Sequence, residues 1–346
     1  LRLSAYLPFT PSVRERLIQL APQGNVYDVA AKWEGEWPAP AQYTVKGRFE
    51  NLGIRAFGAI PAFSGVSGNV DGNEKGGSFN LNSRNAVLEL PRVFREALAF
   101  DTLTAQSGWS NRGGQTELKL SNVSFSNAHL AGNVYGSYRT VAEGPGIIDL
   151  TGSLTRAEAR FAGRYIPLVV SSPTRDWLDR AILLGASQDV RLRLKGNLAD
   201  FPFSDGSRGI FQVTAKASGG TLYYAEGWPN IENIAVDLAF RGNRMEIIAN
   251  QATIYGAKLA KVRAVVPDLM HHDEIVEVEG EAQGPSADFL KFIETSPVEG
   301  YIDHFTEGMR VGGQGSLKLK LHIPLRRIND TKVAGAYQFI NNQLQS

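Results

Sequence analysis

Hydrophobic and charged residues alternate in several stretches of the chain. In "VRLRLKG" (residues 190–196), aliphatic side chains are separated by Arg and Lys. Successive side chains of a β-strand point to opposite faces of its sheet, so this stretch predicts a strand with one apolar and one charged face. The period recurs in "NIAVDLAF" (233–240), "IVEVEGEAQG" (275–284) and "LKLKLHIPL" (317–325). Most of the chain is therefore predicted to be sheet.

Helices are predicted at three short places. Thr10–Leu20 and Ser172–Leu184 each begin with a capping residue followed by a proline and carry a helical apolar stripe, and Ser286–Thr295 is ended by Pro297. Turn residues such as those of "GNVDGNEKGG" (68–77) and "FRGNR" (240–244) separate the strands, and they favour hairpins over helical crossovers. The predicted sheet is therefore antiparallel.

The apolar faces of so many strands need a cover. Each large aliphatic side chain left in water forgoes roughly 1.5–3 kcal/mol, whereas a domain is stable by only about 5–15 kcal/mol in total. A second sheet covers such faces in a sandwich, the sheet covers itself in a barrel, and an apolar ligand covers part of an open groove. Three short helices are too few to cover the whole sheet.

Composition narrows the function classes. The chain has 346 residues, with 36 Lys and Arg against 35 Asp and Glu, so its net charge of +1 gives no electrostatic argument for nucleic acid. It has no cysteine, which excludes disulfides, thiolate metal sites and cysteine catalysis. The chain begins with Leu1 and contains no run of 18 apolar residues, and we interpret it as a piece of a longer protein.

Candidate catalytic and metal-binding motifs are weak. His271 and His272 are adjacent, which is not the spacing of a metal site, and we interpret them as part of a solvated loop. No Gly-x-Ser-x-Gly motif is present, and "GGQGS" (312–316) precedes a strand instead of a helix N-terminus. The basic row at 191–195 is mirrored by glutamates at 277–281, which favours cross-strand charge complementarity over nucleic-acid binding. No enzyme activity, cofactor or metal is predicted.

An ordered set of motifs resembles one known family. Densely from about residue 160 to the end, and more loosely over 30–159, the chain resembles the central periplasmic region of the YhdP proteins, which belong to the bacterial AsmA-like group that includes TamB. The matching elements are Tyr165-Ile166-Pro167, the W-L-D-x-A helix around Trp177, G-N-L-x-D-F-P-F at Gly196–Phe203, G-W-P at Gly227–Pro229 and L-H-I-P-L at Leu321–Leu325. "DTKVAGAYQFINNQL" (330–344) is similar to the start of that family's next segment.

The resemblance implies a fold, a location and a function. It implies a mainly β fold, in which a long, twisted antiparallel sheet curls into an open hydrophobic groove. Residues 1–30 are then an N-terminal helical linker, and 31–160 and 161–346 are two segments of the same groove. It further implies a periplasmic part of an inner-membrane-anchored protein from a Gram-negative bacterium. The expected partners are phospholipid acyl chains and, through other parts of the protein, the inner and outer membranes.

The groove lining follows from the apolar strand positions. We predict passive conduction of phospholipid toward the outer membrane along an aliphatic wall, with headgroups in water. The predicted lining is Leu192, Leu194, Leu198, Phe211, Val213, Ile234, Val236, Leu238, Phe240, Val262, Val266, Val276, Val278, Leu319, Leu321 and Ile323. Plain core packing is the alternative for each residue. For the protein, the alternatives are a closed β-sandwich or β-solenoid structural or adhesion protein without lipid, and a lipopolysaccharide conduit.

Overall fold

The strands form one long antiparallel sheet. The computed structural model describes residues 11–36, 40–58, 60–304, 306–327 and 330–345. Strands account for 63% and helices for 13% of the structure, and the sixteen-stranded sheet is not closed into a barrel. The predicted mainly β, antiparallel fold with few helices is therefore confirmed.

The strands follow one another in the sheet in sequence order. The first eight are β1 Gln23–Glu34, β2 Gln42–Ile54, β3 Ala62–Asn73, β4 Gly76–Glu89, β5 Leu98–Arg112, β6 Gln115–Ser126, β7 Leu130–Arg139 and β8 Ile147–Glu158. The remaining eight are β9 Ile182–Asn197, β10 Gly209–Leu222, β11 Ile231–Arg241, β12 Arg244–Ile254, β13 Ala257–Val266, β14 Ile275–Pro285, β15 Arg310–Pro324 and β16 Lys332–Gln345.

Short hairpins explain this order. Arg241 of β11 pairs with Arg244 of β12, so Gly242 and Asn243 alone form the turn. Gly242 has a φ of 57°, a left-handed conformation that a two-residue turn needs and that glycine adopts without strain. Strands joined by such short turns pair with each other, and the longer connections that contain α2 and α3 also return the chain to the adjacent strand. The sheet is consequently a meander.

The helices are α1 Pro11–Leu20, α2 Ser172–Ala181, α3 Ser286–Glu294 and α4 Val298–Tyr301. The predicted cap at Thr10 lies outside the described residues. The second helix was predicted to reach Leu184 but ends at Ala181, because Ile182 is already extended and begins β9. A 3₁₀ helix, Ala159–Tyr165, precedes α2 in the same connection.

Contacts divide the chain into two units. The first unit comprises Leu1–Leu154, Pro167–Val169 and Leu192–Phe201, so it contains β1 to β7, most of β8 and the end of β9. The second unit comprises Thr155–Ile166, Val170–Arg191 and Pro202–Ser346, which includes α2 to α4 and β10 to β16.

Little of the sheet is covered. Most buried apolar residues in the described ranges are alanines. The larger ones are Leu130, Phe203, Val265 and Val266. The bulky aliphatic side chains of the strands thus remain partly accessible.

Candidate functional site

The second unit carries a continuous apolar face. Leu238 of β11 lies opposite Ile247 of β12, and Val278 of β14 lies opposite Leu321 of β15. Residues directly opposite in register share a face of the sheet. One row therefore crosses seven strands through Ala215, Leu238, Ile247, Ala264, Val278, Leu321 and Val333.

The register brings the predicted lining residues of this unit onto that same face. Neighbouring rows pair Val213 with Phe240, and Val276 with Ile323. The other predicted members of the face are Phe211, Ile234, Val236, Val262, Val266 and Leu319. All of these side chains are half-buried except Val266, which is 2% exposed and offers no surface to a ligand.

Leu192, Leu194 and Leu198 belong to the first unit. A Cβ atom added to Gly152 of β8 would lie 3.7 Å from Leu192 Cβ and from Val134 Cγ2, so these residues share a face. Leu194 is on the same side of β9, whereas Leu198 begins a single 3₁₀ turn, Leu198–Asp200, beyond the strand. Val134 continues this face through a row made of Leu81, Ala105, Val123 and Val134.

The opposite face of the second unit is charged and largely self-neutralised. Arg263 Nη2 lies 2.6 Å from Glu246 Oε1, and Arg263 Nη1 lies 3.9 Å from Glu279 Oε1. Glu281 has Lys261 Nζ at 3.4 Å and Lys318 Nζ at 3.9 Å. Because these partners lie on adjacent strands, the charges form a cross-strand ladder, which suits a water-facing surface.

The basic residues of β9 also have acidic partners. In the first unit, Asp149 of β8 accepts a hydrogen bond from Arg193 Nη1 at 2.6 Å and lies 3.4 Å from Lys195 Nζ. The hydrogen bond from Arg193 lowers the pKa of the Asp149 carboxyl below its usual range, and both nearby cations add to the effect. In the second unit, Arg191 Nε lies 2.9 Å from Asp189 Oδ1. The basic residues Arg193 and Lys195 are therefore paired across strands, as predicted, but their acidic partner is Asp149 and not the glutamates of 277–281.

Helix α3 packs on the apolar face of the second unit at one end of the strands. It contacts β14 and β15. Tyr337 of β16, opposite Leu317 on this face, donates a hydrogen bond to Ser286 Oγ at 3.1 Å, and its ring lies 5.2 Å from that of Phe289. Phe292 packs against Trp228, with ring centroids 5.8 Å apart. This end of the face is therefore covered, whereas the row through Leu238 is not.

The loop between β10 and β11 extends this aromatic cluster toward α2. Trp228 lies 5.9 Å from the ring of Tyr224, and Trp177 of α2 donates its Nε1–H to the Tyr224 carbonyl at 3.0 Å. Burial, with a smaller contribution from Tyr255, raises the pKa of Tyr224 to about 12. Trp177 and Trp228 thus serve as packing anchors here.

Several residues of these faces escaped the sequence analysis. Ile247 of β12 is one, because Ile248 beside it breaks the alternation, and only the register of the β11–β12 hairpin shows that Ile247 faces Leu238. Leu81 and Val123 of the first unit also escaped, because their strands are rich in polar and small residues. The short turns that flank these strands were the sequence signal from which their pairing could have been predicted.

The histidine loop makes local contacts. His271 Nδ1 accepts a hydrogen bond from the backbone N–H of Asp273 at 3.1 Å, and His272 Nδ1 lies 3.5 Å from Asp273 Oδ1. Within the part of the chain that the structure describes, no three His, Cys, Asp or Glu residues are grouped as metal ligands.

Comparisons with known proteins give one match. In the described ranges, none of the helices has the length and apolar character needed to cross a membrane. Neither the curated proteins nor the solved structures contain a match to this chain. The model of the YhdP protein family matches residues 1–346. Because this match covers the whole sequence and agrees with the motifs quoted above, the chain belongs to the YhdP family.

Proposed function

We propose that this chain is a periplasmic segment of an inner-membrane-anchored protein and conducts phospholipid along its apolar faces toward the outer membrane, maintaining the envelope barrier of a Gram-negative bacterium. YhdP is a family of bacterial envelope proteins, and membership is consistent with non-enzymatic lipid transport by an AsmA-like protein.

The observation that most supports this proposal is the uninterrupted apolar row of the second unit. From Ala215 to Val333 it contains no polar side chain, and its bulky members are left partly accessible. An acyl chain on this surface gains up to about 0.8 kcal/mol for each methylene removed from water. Since neighbouring rows are chemically alike, a chain that shifts along the face exchanges one aliphatic contact for another. The lipid can then move along the face without being held by a polar side chain.

The charged face supports the same proposal. A ladder of ion pairs such as Glu246–Arg263 keeps that side of the sheet in water, so the apolar side is the one available to hydrocarbon. A closed sandwich is not favoured, because every strand in the described residues belongs to the one sheet. We further propose that the predicted lining residues other than the buried Val266, including Leu192 and Leu194, contact the acyl chains.

The experiment is native mass spectrometry of residues 1–346 purified without detergent from a bacterial periplasm, with extraction and identification of bound lipid. Phospholipid should be present and should be lost when Leu238→Asp and Leu321→Asp are combined. Ala235→Asp with Ser316→Asp places the same charges on the same two strands but on the other face, and it should retain the lipid. A folded protein that carries no lipid contradicts the proposal, and bound lipopolysaccharide corrects the cargo.

A further inference from the structure

One end of the apolar face in the first unit is lined by amphipathic aromatic side chains. Trp33 of β1 lies directly opposite Tyr43 of β2, and Trp109 of β5 and Tyr138 of β7 flank Leu118 in a single row. Trp33, Tyr43 and Tyr138 each lie one residue from the hairpin end of their strand, at the β1–β2 and β7–β8 turns. Trp109 lies three residues from the end of β5, at the β5–β6 hairpin. We call Trp33, Tyr43, Trp109 and Tyr138 the aromatic rim.

Two glycines fix the position of Trp109. Gly72 and Gly77 pair with each other, and Gly77 pairs with Trp109. A Cβ atom at Gly72 would lie 2.7 Å from Trp109 Cζ2, and one at Gly77 would lie 2.6 Å from Trp109 Cη2. The indole therefore lies across β3 and β4 in space that only glycine leaves open, and its six-membered ring stacks near Phe79, with centroids 6.3 Å apart.

Polar groups of this region are available to a ligand. The indole N–H of Trp109 and the hydroxyl of Tyr43 make no hydrogen bond within the described residues, whereas the Tyr138 hydroxyl donates to the Pro145 carbonyl at 2.9 Å. One row deeper, Ser107 is 7% exposed and its hydroxyl has no partner in those same residues, but its oxygen is buried and offers no surface to a ligand.

Behind the aromatic rim most of the face is hydrocarbon, with Ser107 between Phe79 and Leu120. Its next rows contain Phe79 and Leu120, then Leu81 and Val123. From Trp109 to Leu103 along β5 is six residues, or about 20 Å, which exceeds the roughly 15 Å depth of one leaflet of a bilayer's hydrocarbon core. One acyl chain fits along the strand.

The far end of this face carries aromatic residues without polar groups. Phe100 and Phe125 lie there with ring centroids 5.6 Å apart, and neither ring carries a polar atom. Cations do not distinguish the two ends, because Lys75 and Arg112 flank one and Arg55 and Arg92 flank the other. Tryptophan and tyrosine favour the boundary between hydrocarbon and polar groups, since one end of the ring system is apolar and the other is wet.

From this gradient we infer that the aromatic rim holds the glycerol and ester level of a bound glycerophospholipid, with its acyl chains directed along the strands toward Phe100 and Phe125. The inference rests on the proposed function and adds an orientation to it. Trp109 is then a positioning residue that sets the depth of the lipid, and its N–H faces the ester oxygens.

The test is photo-crosslinking of residues 1–346 with two phosphatidylethanolamine probes, one with a diazirine on the headgroup and one with a diazirine at the acyl terminus. Crosslinked peptides are then mapped by mass spectrometry. The headgroup probe should label peptides with Tyr43, Trp109 or Tyr138 about fivefold more than the acyl probe does, and the acyl probe should prefer peptides with Phe100 or Phe125.

Variants at Trp109 separate positioning from folding. Trp109→Leu keeps an apolar side chain, but the headgroup and acyl probes should then label similar peptides. Trp109→Tyr should restore the difference between the two probes. If the two probes label the unmodified protein in the reverse order, or label the same peptides equally, the proposed lipid orientation is wrong although lipid binding still holds. Absence of labelling on the apolar face with both probes contradicts the proposed function itself, so the two failures are distinguishable.

Discussion

Two adjacent isoleucines offer a matched test of which face binds lipid. Ile247 faces Leu238 and Ala264 on the apolar side of the sheet, whereas Ile248 faces Asp237 and Arg263 on the charged side. Ile248 is 41% exposed and Ile247 is half-buried. Ile247→Asp and Ile248→Asp therefore make the same chemical change one residue apart.

The expected magnitudes differ strongly. Full burial of an isoleucine side chain is worth about 1.5–3 kcal/mol, and contact with a lipid from one side recovers about half of that. A carboxylate held against hydrocarbon adds a penalty of the same order or larger. Ile247→Asp should therefore weaken lipid binding by at least about 1.4 kcal/mol, or tenfold in Kd. Ile248→Asp should change the Kd by less than about twofold.

The assay is titration of each variant with a fluorescent phospholipid analogue, with urea unfolding to show that both remain folded. Both variants should still unfold cooperatively, since neither isoleucine is fully buried. Equal losses of affinity in the two variants, or a larger loss in Ile248→Asp, would refute the assignment of lipid to the apolar face.

Three further predictions concern stability. Tyr337→Phe removes the hydrogen bond to Ser286 and should lower the free energy of unfolding by about 0.5–1.5 kcal/mol in urea. A difference near zero would show that α3 is not held there. Since Arg193 lowers the pKa of Asp149 in the folded protein, the carboxylate stabilises the fold above about pH 4. Asp149→Asn should thus be less stable than the unmodified protein at pH 7, by up to about 1 kcal/mol, and the difference should vanish as the pH falls below 4 in acid titrations. Tyr224 has its folded pKa raised to about 12, above the unfolded value near 10, so stability is lost as the pH rises from 10 to 12. Unfolding at pH 9 and pH 11.5 should show a smaller loss in Tyr224→Phe, and identical losses would contradict the assigned burial.

The strands were predictable because alternation and turn chemistry are local. "LKLKLHIPL" defines the second half of β15 and its apolar side, and the turn at Gly242 brings β11 and β12 together as a hairpin. The end of α2 was not predictable in this way. Residues Ile182 to Leu184 extend the helical apolar stripe, yet the structure places them in β9, where pairing along the sheet overrides the local pattern.

The candidate site was predictable only where strands alternate strongly. The faces at Leu238 and Leu321 were found, whereas the first unit carries its apolar face on strands such as β4, in which Phe79 and Leu81 stand among Asn and Ser. Burial is also non-local. Val266 has the same pattern as Val262 but is buried, and nothing in the pattern distinguishes a covered position from an open one.

The most direct test of lipid on the apolar face places a photoreactive benzophenone amino acid at adjacent positions of β15 in living bacteria whose phospholipids carry ³²P. When the benzophenone residue replaces Leu321, illumination should yield a ³²P-labelled protein. When it replaces Lys320, which lies on the charged face, illumination should yield no labelled protein. Equal labelling at both positions, or none at position 321 in a folded and periplasmic protein, would contradict lipid conduction along this face.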